Sequence, residues 1–199
     1  MSLAAQTTTL LIASVSAKLF TLVYPKHDAE TVILLLGGPG VPMDFSPIAE
    51  PLSRKYQVIA FEQRGTGRSP VTGGTSLLGM LGLDKAYQSL FNQVLENYMR
   101  EIAPAFTAID AMVENVRAEP IKMTRACILD YPPLKDSMDY RFPIVITYVE
   151  KDIYGKSKQS VRGRFPKATF VDYANAGHIA WTDNNAKFID TLTDFYQLS

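Results

Sequence analysis

The feature that most constrains the fold is a pair of short apolar runs that each end in a glycine-rich turn. "TVILLL" (31–36) runs into "GGPG", and "QVIAFEQ" (57–63) runs into "RGTGRSP". A short continuous apolar run between turn residues is typical of a strand that is buried on both faces. Between them, "FSPIAEPLSRKY" has apolar residues at helical spacing, with Asp44 as a candidate N-cap. Strand, helix and strand in this order predict an α/β fold with a mostly parallel sheet.

The C-terminal part of the chain continues this alternation. "FPIVITYVEKD" (142–152) and "ATFVDY" (168–173) predict two more strands, separated by a surface helix in "KSKQSVRGRF". "NNAKFIDTLTDFYQ" carries apolar residues on one side and predicts an amphipathic helix. Near the N-terminus, "TLLIASVSA" (9–17) and the following "AKLFTLVYP" contain several β-branched residues, so we expect a pair of antiparallel edge strands there.

The middle of the chain is helical in pattern. The pattern runs from 77 to 117 and is interrupted by Pro104, and "ACILDYPPL" follows it. Its apolar positions need a surface to cover, and we expect them to form a cap over the carboxyl edge of the sheet. They include Leu77, Leu81, Phe91, Leu95 and Ile102.

The amino-acid composition gives no indication of a nucleic-acid-binding, metal-binding or membrane protein. Lys plus Arg equals Asp plus Glu, 20 each, so net charge gives no reason to expect nucleic acid or an anionic membrane as partner. Two histidines without a HExxH motif or paired cysteines predict no metal site, and we expect no cofactor. The single Cys127 fits a reducing compartment, and no basic residue precedes Lys18 as a signal peptide would require. We therefore expect a cytoplasmic protein, and find no apolar run of membrane-spanning length.

Two polar residues stand where an α/β sheet places its ligands. Asp152 lies at the carboxyl end of the strand predicted at 142–152, and His178 lies in the "NAGH" loop after the last strand, 26 positions later (178 minus 152). Adjacent parallel strands would bring both loops to one edge, where a carboxylate can orient an imidazole for proton transfer. The alternative is that Asp152 caps the next helix and His178 is an ordinary loop residue.

Four motifs in chain order resemble the landmarks of the α/β-hydrolase family: "LLLGGPG", "FEQRGTGRSP", "YVEKDIY" and "NAGHIAW". The first two resemble the prolyl iminopeptidase branch in particular. The resemblance implies a hydrolase core of residues 1–75 and 137–199 and a helical cap of residues 76–136. It also implies a serine-type enzyme that cleaves an amide or ester bond of a small molecule or short peptide by acyl transfer.

Carried over by position, the resemblance implies that Asp152 is the catalytic acid and His178 the base. It implies an oxyanion loop of Gly37, Gly38, Pro39 and Gly40, although Leu36 stands where the family usually has histidine. The cap glutamates Glu96, Glu101, Glu114 and Glu119 are candidates to meet a substrate amine, or belong to a solvated helix face. Two other functions stay open: a catalytically inactive binding module with this fold, and a relative that acts on epoxides or esters.

One expected element is missing. The family implies a nucleophilic serine on a G-x-S-x-G turn after a central strand, but no such motif occurs in the sequence. Only the residues around 71–75 occupy its place, whereas a parallel crossover needs at least ~10–12 residues. The sequence therefore predicts a discontinuity near Thr75: residues are omitted from the sequence as written, or were deleted from the gene.

No other residue is a strong nucleophile candidate. Ser76 has Gly74 two positions before it, but Leu78 replaces the second glycine, and Ser76 also fits a helix cap. Ser69 belongs to the "GTGRS" turn, which is structural in the family. Cys127 lies in a predicted helix, where a lone cysteine is usually a small buried hydrophobe.

Overall fold

A computed structural model describes residues 6–12, 17–35, 37, 44–63, 67–69, 84–103, 105, 107, 109–116, 118, 139–152 and 157–198. These residues fall into two compact units. The first lies within Met1–Tyr98 and Ala108–Leu129, and the second within Met99–Thr107 and Asp130–Gln197. The division into a core of 1–75 and 137–199 and a cap of 76–136 stays a prediction.

The first unit contains a four-stranded sheet. Its strands are β1 (Gln6–Ile12), β2 (Ala17–Tyr24), β3 (Thr31–Leu34) and β4 (Gln57–Phe61), in the order β1-β2-β4-β3. β1 and β2 are antiparallel, β2 and β4 are antiparallel, and β3 and β4 are parallel. The predicted antiparallel pair of β1 and β2 is present, but of these two strands only β1 lies at an edge of the sheet. β2 lies inside the sheet because its other side pairs with β4.

The prediction that 31–36 forms a strand buried on both faces is wrong. β3 is the last strand of the described sheet, and the side chains of Ile33 and Leu35 are 57% and 70% exposed. An apolar run is buried only where neighbouring elements cover it, and the described residues pair with β3 on one side only.

A short helix covers one face of this sheet. α1 (Ser46–Ser53) buries Ala49 and Leu52, and Phe45 packs in one cluster with Ala60 of β4. Phe45 occupies the N-cap position, so the assignment of Asp44 as N-cap is wrong by one residue. The Asp44 carboxylate still accepts a hydrogen bond from the Ser46 N–H at 2.9 Å, which satisfies a free amide at the helix start.

Most of the described residues in the middle segment are helical. α2 (Asp84–Ile102) and α3 (Ile109–Asn115) flank Pro104, as the pattern predicts. The end of α2 is buried at Met99 and Ile102, whereas Leu90 and Val94 are exposed. Leu77 and Leu81 lie outside the described residues, and the placement of this segment over the sheet edge stays a prediction.

The second unit carries the two predicted C-terminal strands. β5 (Val145–Val149) and β6 (Thr169–Tyr173) are parallel neighbours, with Val145 opposite Thr169 and Val149 opposite Tyr173. α4 (Ser157–Arg164) connects them and buries no residue, as expected of a surface helix. The terminal helix predicted in "NNAKFIDTLTDFYQ" is present as α6 (Asn185–Tyr196), and a further short helix that was not predicted, α5 (Ala180–Asp183), precedes it.

Candidate active site

The loops after β5 and β6 are joined beyond the ends of the strands. The Glu150 N–H donates to the Tyr173 carbonyl and the Lys151 N–H donates to the Ala176 carbonyl, both at 3.0 Å. The Glu150 carboxylate accepts the N–H of Asn175 at 2.7 Å. These bonds fix the relative position of the two loops that carry Asp152 and His178.

Asp152 and His178 form a direct hydrogen bond. His178 Nδ1 lies 2.6 Å from Asp152 Oδ2. The Asp152 side chain is only 5% exposed, whereas that of His178 is 47% exposed. An ionised carboxylate can only accept a hydrogen bond, so the contact fits the tautomer in which Nδ1 carries the proton and Nε2 is an acceptor. The contact predicted from the chain order is therefore present, while the catalytic role of the pair stays a prediction.

The backbone on either side of the imidazole is held by two further acceptors. The His178 N–H donates to the carbonyl of Ile102, and the Gly177 N–H donates to Asp183 Oδ2, both at 2.6 Å. A Cβ on Gly177 would lie 1.8 Å from the Ile102 oxygen, so the two segments touch at this glycine. Ala176 and Ile179 are also buried. His178 therefore lies on a packed loop, while its ring is exposed.

The predicted oxyanion loop is described only at its first residue. Gly37 is exposed, and a Cβ added there would meet nothing within 4 Å. Gly38, Pro39 and Gly40 lie outside the described residues, as does Leu36. Their role in binding an oxyanion stays a prediction.

Ser69 is engaged in structural hydrogen bonds. It is 2% exposed, accepts the N–H of Phe20 at 2.9 Å and donates to the carbonyl of Glu62 at 2.7 Å. A hydroxyl that is buried and bonded to the backbone on both sides does not reach a substrate. Ser76 and Cys127 lie outside the described residues.

The turn that contains Ser69 is also held by the carboxylate of Glu62. The Arg68 guanidinium donates from both Nε, at 3.0 Å, and Nη2, at 2.7 Å, to the single oxygen Oε1 of Glu62. Gly67 has a φ of +50°, and a Cβ there would lie 2.5 Å from Glu62 Oε2. Glycine at this position is required both for the backbone conformation and for the close approach of Glu62. The "GTGRS" signal of the sequence is thus a structural one.

A cleft of about 450 Å³ opens beside Asp152 and is also lined by Glu150, Lys158 and Asp172. The Lys158 side chain hydrogen-bonds to Asp172 and holds the pKa of that carboxyl below its usual value, and Arg162 adds to the effect. Burial raises the pKa of the neighbouring Tyr173. Lys158 and Arg162 of α4 are therefore both paired with Asp172, and Lys158 and Asp172 line this cleft.

The glutamates of the predicted cap differ in their exposure. Glu101 and Glu114 are exposed, Glu96 is half-buried, and Glu119 lies outside the described residues. Within the described ranges, no three His, Cys, Asp or Glu residues are arranged to hold a metal ion. The helices of those ranges include none that has both the length and the apolar character to cross a membrane.

Comparison with known proteins gives a structural match without a sequence match. No protein-family profile matches the chain, and no curated protein matches its sequence. A 2-hydroxy-6-oxo-6-phenylhexa-2,4-dienoate hydrolase from Rhodococcus superposes with a TM-score of 0.67 at 12% identity, over 98% of this chain and 100% of that one. The chain has the α/β-hydrolase fold.

Two other hydrolases support the same fold. A naproxen esterase from Bacillus subtilis gives a TM-score of 0.61 at 14% identity, over 98% of this chain and 92% of the esterase. An epoxide hydrolase gives 0.62 at 11% identity, over 98% and 99% of the two chains. The predicted α/β-hydrolase resemblance is confirmed at the level of the fold. None of these three is described as an iminopeptidase, and that branch remains a proposal.

The sequence did not predict the groups that bind the loop around Gly177 and His178, the histidine loop of this hydrolase fold. Asp183, the carbonyl of Ile102 and the carboxylate of Glu150 were not candidates, because their contacts are visible only in three dimensions. The available signals were the glycine directly before His178 and the aspartate five residues after it. A small residue beside a functional one often marks a close backbone approach.

Proposed function

We propose that the chain is a hydrolase of ester or amide bonds in which Asp152 and His178 form the acid–base pair. The observation that carries the proposal is the 2.6 Å contact between His178 Nδ1 and Asp152 Oδ2. A buried carboxylate beneath a half-exposed ring is the arrangement that proton transfer to and from a bound substrate requires. The α/β-hydrolase fold supports this role.

In the proposed reaction, a hydroxyl group bonds to the carbonyl carbon of the ester or amide while His178 Nε2 takes the hydroxyl proton. Nε2 then delivers this proton to the leaving oxygen or nitrogen as its bond to the same carbon breaks. Asp152 holds the Nδ1–H tautomer and stabilises the imidazolium that forms between these two transfers. Because Asp152 is 95% shielded from solvent, its charge acts on the ring through little intervening water. A general base placed in this way contributes about 10²–10⁴-fold to the rate.

The finer proposal is an iminopeptidase-like specificity for a small molecule or short peptide. It rests on the motifs "GGPG" and "QRGTGRSP", which resemble that branch. The same proposal includes a cytoplasmic location, because the single Cys127 precludes an intrachain disulfide.

A specific observation favours a second candidate, a catalytically inactive module that binds a ligand on the hydrolase fold. The sequence has no G-x-S-x-G, and the hydroxyl of Ser69 is committed to backbone bonds. An activity on epoxides or esters is the third candidate, in keeping with the epoxide hydrolase and the esterase among the similar structures.

The experiment compares hydrolysis of an activated ester, proline p-nitroanilide and an aromatic epoxide by the purified protein. His178→Ala is the test variant and His27→Ala the matched control, because His27 is the other histidine and is exposed. Turnover of the anilide that falls about 10²–10⁴-fold in His178→Ala alone would support the proposal and its iminopeptidase-like specificity. The same fall with the ester would support the acid–base pair in the first and the third candidate alike. Turnover of the epoxide alone would favour the third candidate. No turnover of any substrate would overturn the hydrolase and favour the binding module.

A further inference from the structure

Asp183 lies at the end of α5, five residues after His178, and its side chain turns back toward the histidine loop. Its Oδ2 accepts the N–H of Gly177 at 2.6 Å. A hydrogen bond from a backbone amide to a carboxylate is stronger than one between neutral groups. Asp183 thus bonds to the residue directly before the proposed base.

This carboxylate is not a cap of its own helix. The N-cap residue of α5 is Ile179, whose carbonyl accepts the amides of Thr182 and Asp183 at 2.9 and 3.0 Å. The Gly177 amide lies two residues before that cap, outside the helix. The bond from Gly177 to Asp183 therefore ties the loop to α5 and does not complete the helix itself.

Two consecutive amides are held by acceptors from different segments. The Gly177 N–H points to Asp183, and the His178 N–H points to the carbonyl of Ile102. Asp183 Oδ2 lies 2.9 Å from the position that a Cβ of Gly177 would take, so the carboxylate also closes one side of the loop. With both amides fixed, the Cα of His178 has little freedom to move relative to Asp152.

We propose that Asp183 is a positioning residue for His178: through Gly177 it keeps the imidazole within hydrogen-bond distance of Asp152. Its importance for catalysis rests on the proposed function, whereas its effect on the ring does not. Catalytic groups must be held close to their productive geometry, and small displacements of the backbone are costly in rate.

The experiment observes the two histidine rings by NMR in the isotope-labelled full chain. His178→Gln identifies the low-field Nδ1–H resonance of the ring bonded to Asp152, because only His27 then remains. The loss variants are Asp183→Ala and Asp183→Ser, whose side chains are too short to reach Gly177. Asp183→Asn keeps an acceptor oxygen, and Asp190→Ala is the control at an exposed aspartate of α6.

We expect Asp183→Ala to weaken or abolish this resonance and to speed its exchange with solvent about tenfold or more, since the ring leaves Asp152 part of the time. Asp183→Asn should restore it, and Asp190→Ala should match the wild type. Circular dichroism verifies folding, and Asp183→Ser provides the comparison if Asp183→Ala does not fold. A wild-type resonance in a folded loss variant, or its loss in folded Asp183→Asn, would overturn the proposal.

Hydrolysis provides a separate readout. If the protein turns over an ester, Asp183→Ala should lower kcat more than it raises KM, because the substrate contacts are unchanged. If the wild type has no hydrolytic activity, the proposed function fails while the ring resonance still decides the role of Asp183. The two proposals can therefore fail independently.

Discussion

His178 Nδ1 and Asp152 Oδ2 are 2.6 Å apart although 26 positions (178 minus 152) separate the two residues in the chain. The parallel pairing of β5 and β6 brings them together, and the bonds from Glu150 and Lys151 extend that pairing into the loops. Asp152 lies in the loop after β5 and His178 in the loop after β6, the strand that pairs with β5. The register of the sheet therefore determines that the two side chains meet. A change in the conformation of either loop should alter the distance between them.

Asp152→Asn tests the orientation of the ring. An amide at this position offers either an oxygen or an NH₂ to Nδ1, so the tautomer is no longer fixed and the imidazolium loses its counter-charge. We expect hydrolysis to fall about 10²–10⁴-fold with little change in KM, as kinetics on the ester will measure. His27→Gln should retain full activity. An Asp152→Asn variant as active as the wild type would contradict the acid role.

Gly177→Ala tests the close packing of the histidine loop. The new Cβ would lie 1.8 Å from the Ile102 oxygen, so one of the two backbones must move. We expect a loss of about 1–3 kcal/mol or more in the free energy of unfolding, measured by urea denaturation. Gly163→Ala is the matched control, because a Cβ there meets nothing within 4 Å and alanine favours the helix α4. That variant should gain about 0.5–1 kcal/mol.

Ser69→Ala separates a structural serine from a nucleophile. The change leaves the Phe20 N–H and the Glu62 carbonyl without their partner, at an expected cost of about 1–3 kcal/mol in the free energy of unfolding. At a temperature where the variant is folded, ester hydrolysis should be unchanged. Loss of activity in a fully folded variant would show instead that Ser69 takes part in the reaction.

Asp172 should contribute to stability at neutral pH. Lys158 lowers the pKa of its carboxyl below the ordinary 3.8, so the folded protein binds this proton more weakly than the unfolded chain does. The contribution is therefore present above pH 3.8 and is lost as the pH falls through the lowered pKa. The contribution is small, because the side chain is 54% exposed and salt screens the pair.

Asp172→Asn removes this titration, so its unfolding free energy should fall less than that of the wild type between neutral pH and about pH 3. Urea denaturation at the two pH values measures the difference, with Asp194→Asn on α6 as control. An identical fall in Asp172→Asn and in the wild type would argue against the ion pair in solution.

The intact mass of the purified protein tests the discontinuity near Thr75. A mass above 22.1 kDa would show that residues are omitted from the sequence, and a serine-reactive phosphonate should then label a nucleophile among them. Agreement with 22.1 kDa would indicate a deletion, and we expect that protein to be inactive. Labelling of Ser76 would show that the nucleophile was present in the sequence.

Local patterns were sufficient to predict most elements of the fold. Helices and strands formed where apolar periodicity and turn residues placed them, and the Asp152–His178 contact followed from the topology of two parallel strands. These features depend on neighbours in the chain or on adjacent strands. The turn around Ser69 also depends on neighbours in the chain, and its glycines predicted it.

Features that depend on distant neighbours could not be predicted. The run 31–36 reads as a buried strand, but burial depends on what lies beside it, and Ile33 is exposed at the edge of the described sheet. The role of Asp183 was equally hidden, because a carboxylate in a short helix reads as an ordinary surface residue. Only its bond to the Gly177 amide shows otherwise.

The bond from the His178 N–H to the carbonyl of Ile102 limits how chain length can vary. Ile102 is the last residue of α2, so its carbonyl direction follows the helical phase of the preceding turn. One residue inserted into Met99–Ile102 would rotate that carbonyl by about 100° and displace it by about 1.5 Å along the helix axis. Related chains that keep the contact should therefore have no insertion or deletion within Met99–Ile102. Differences in their length should occur in other parts of the chain.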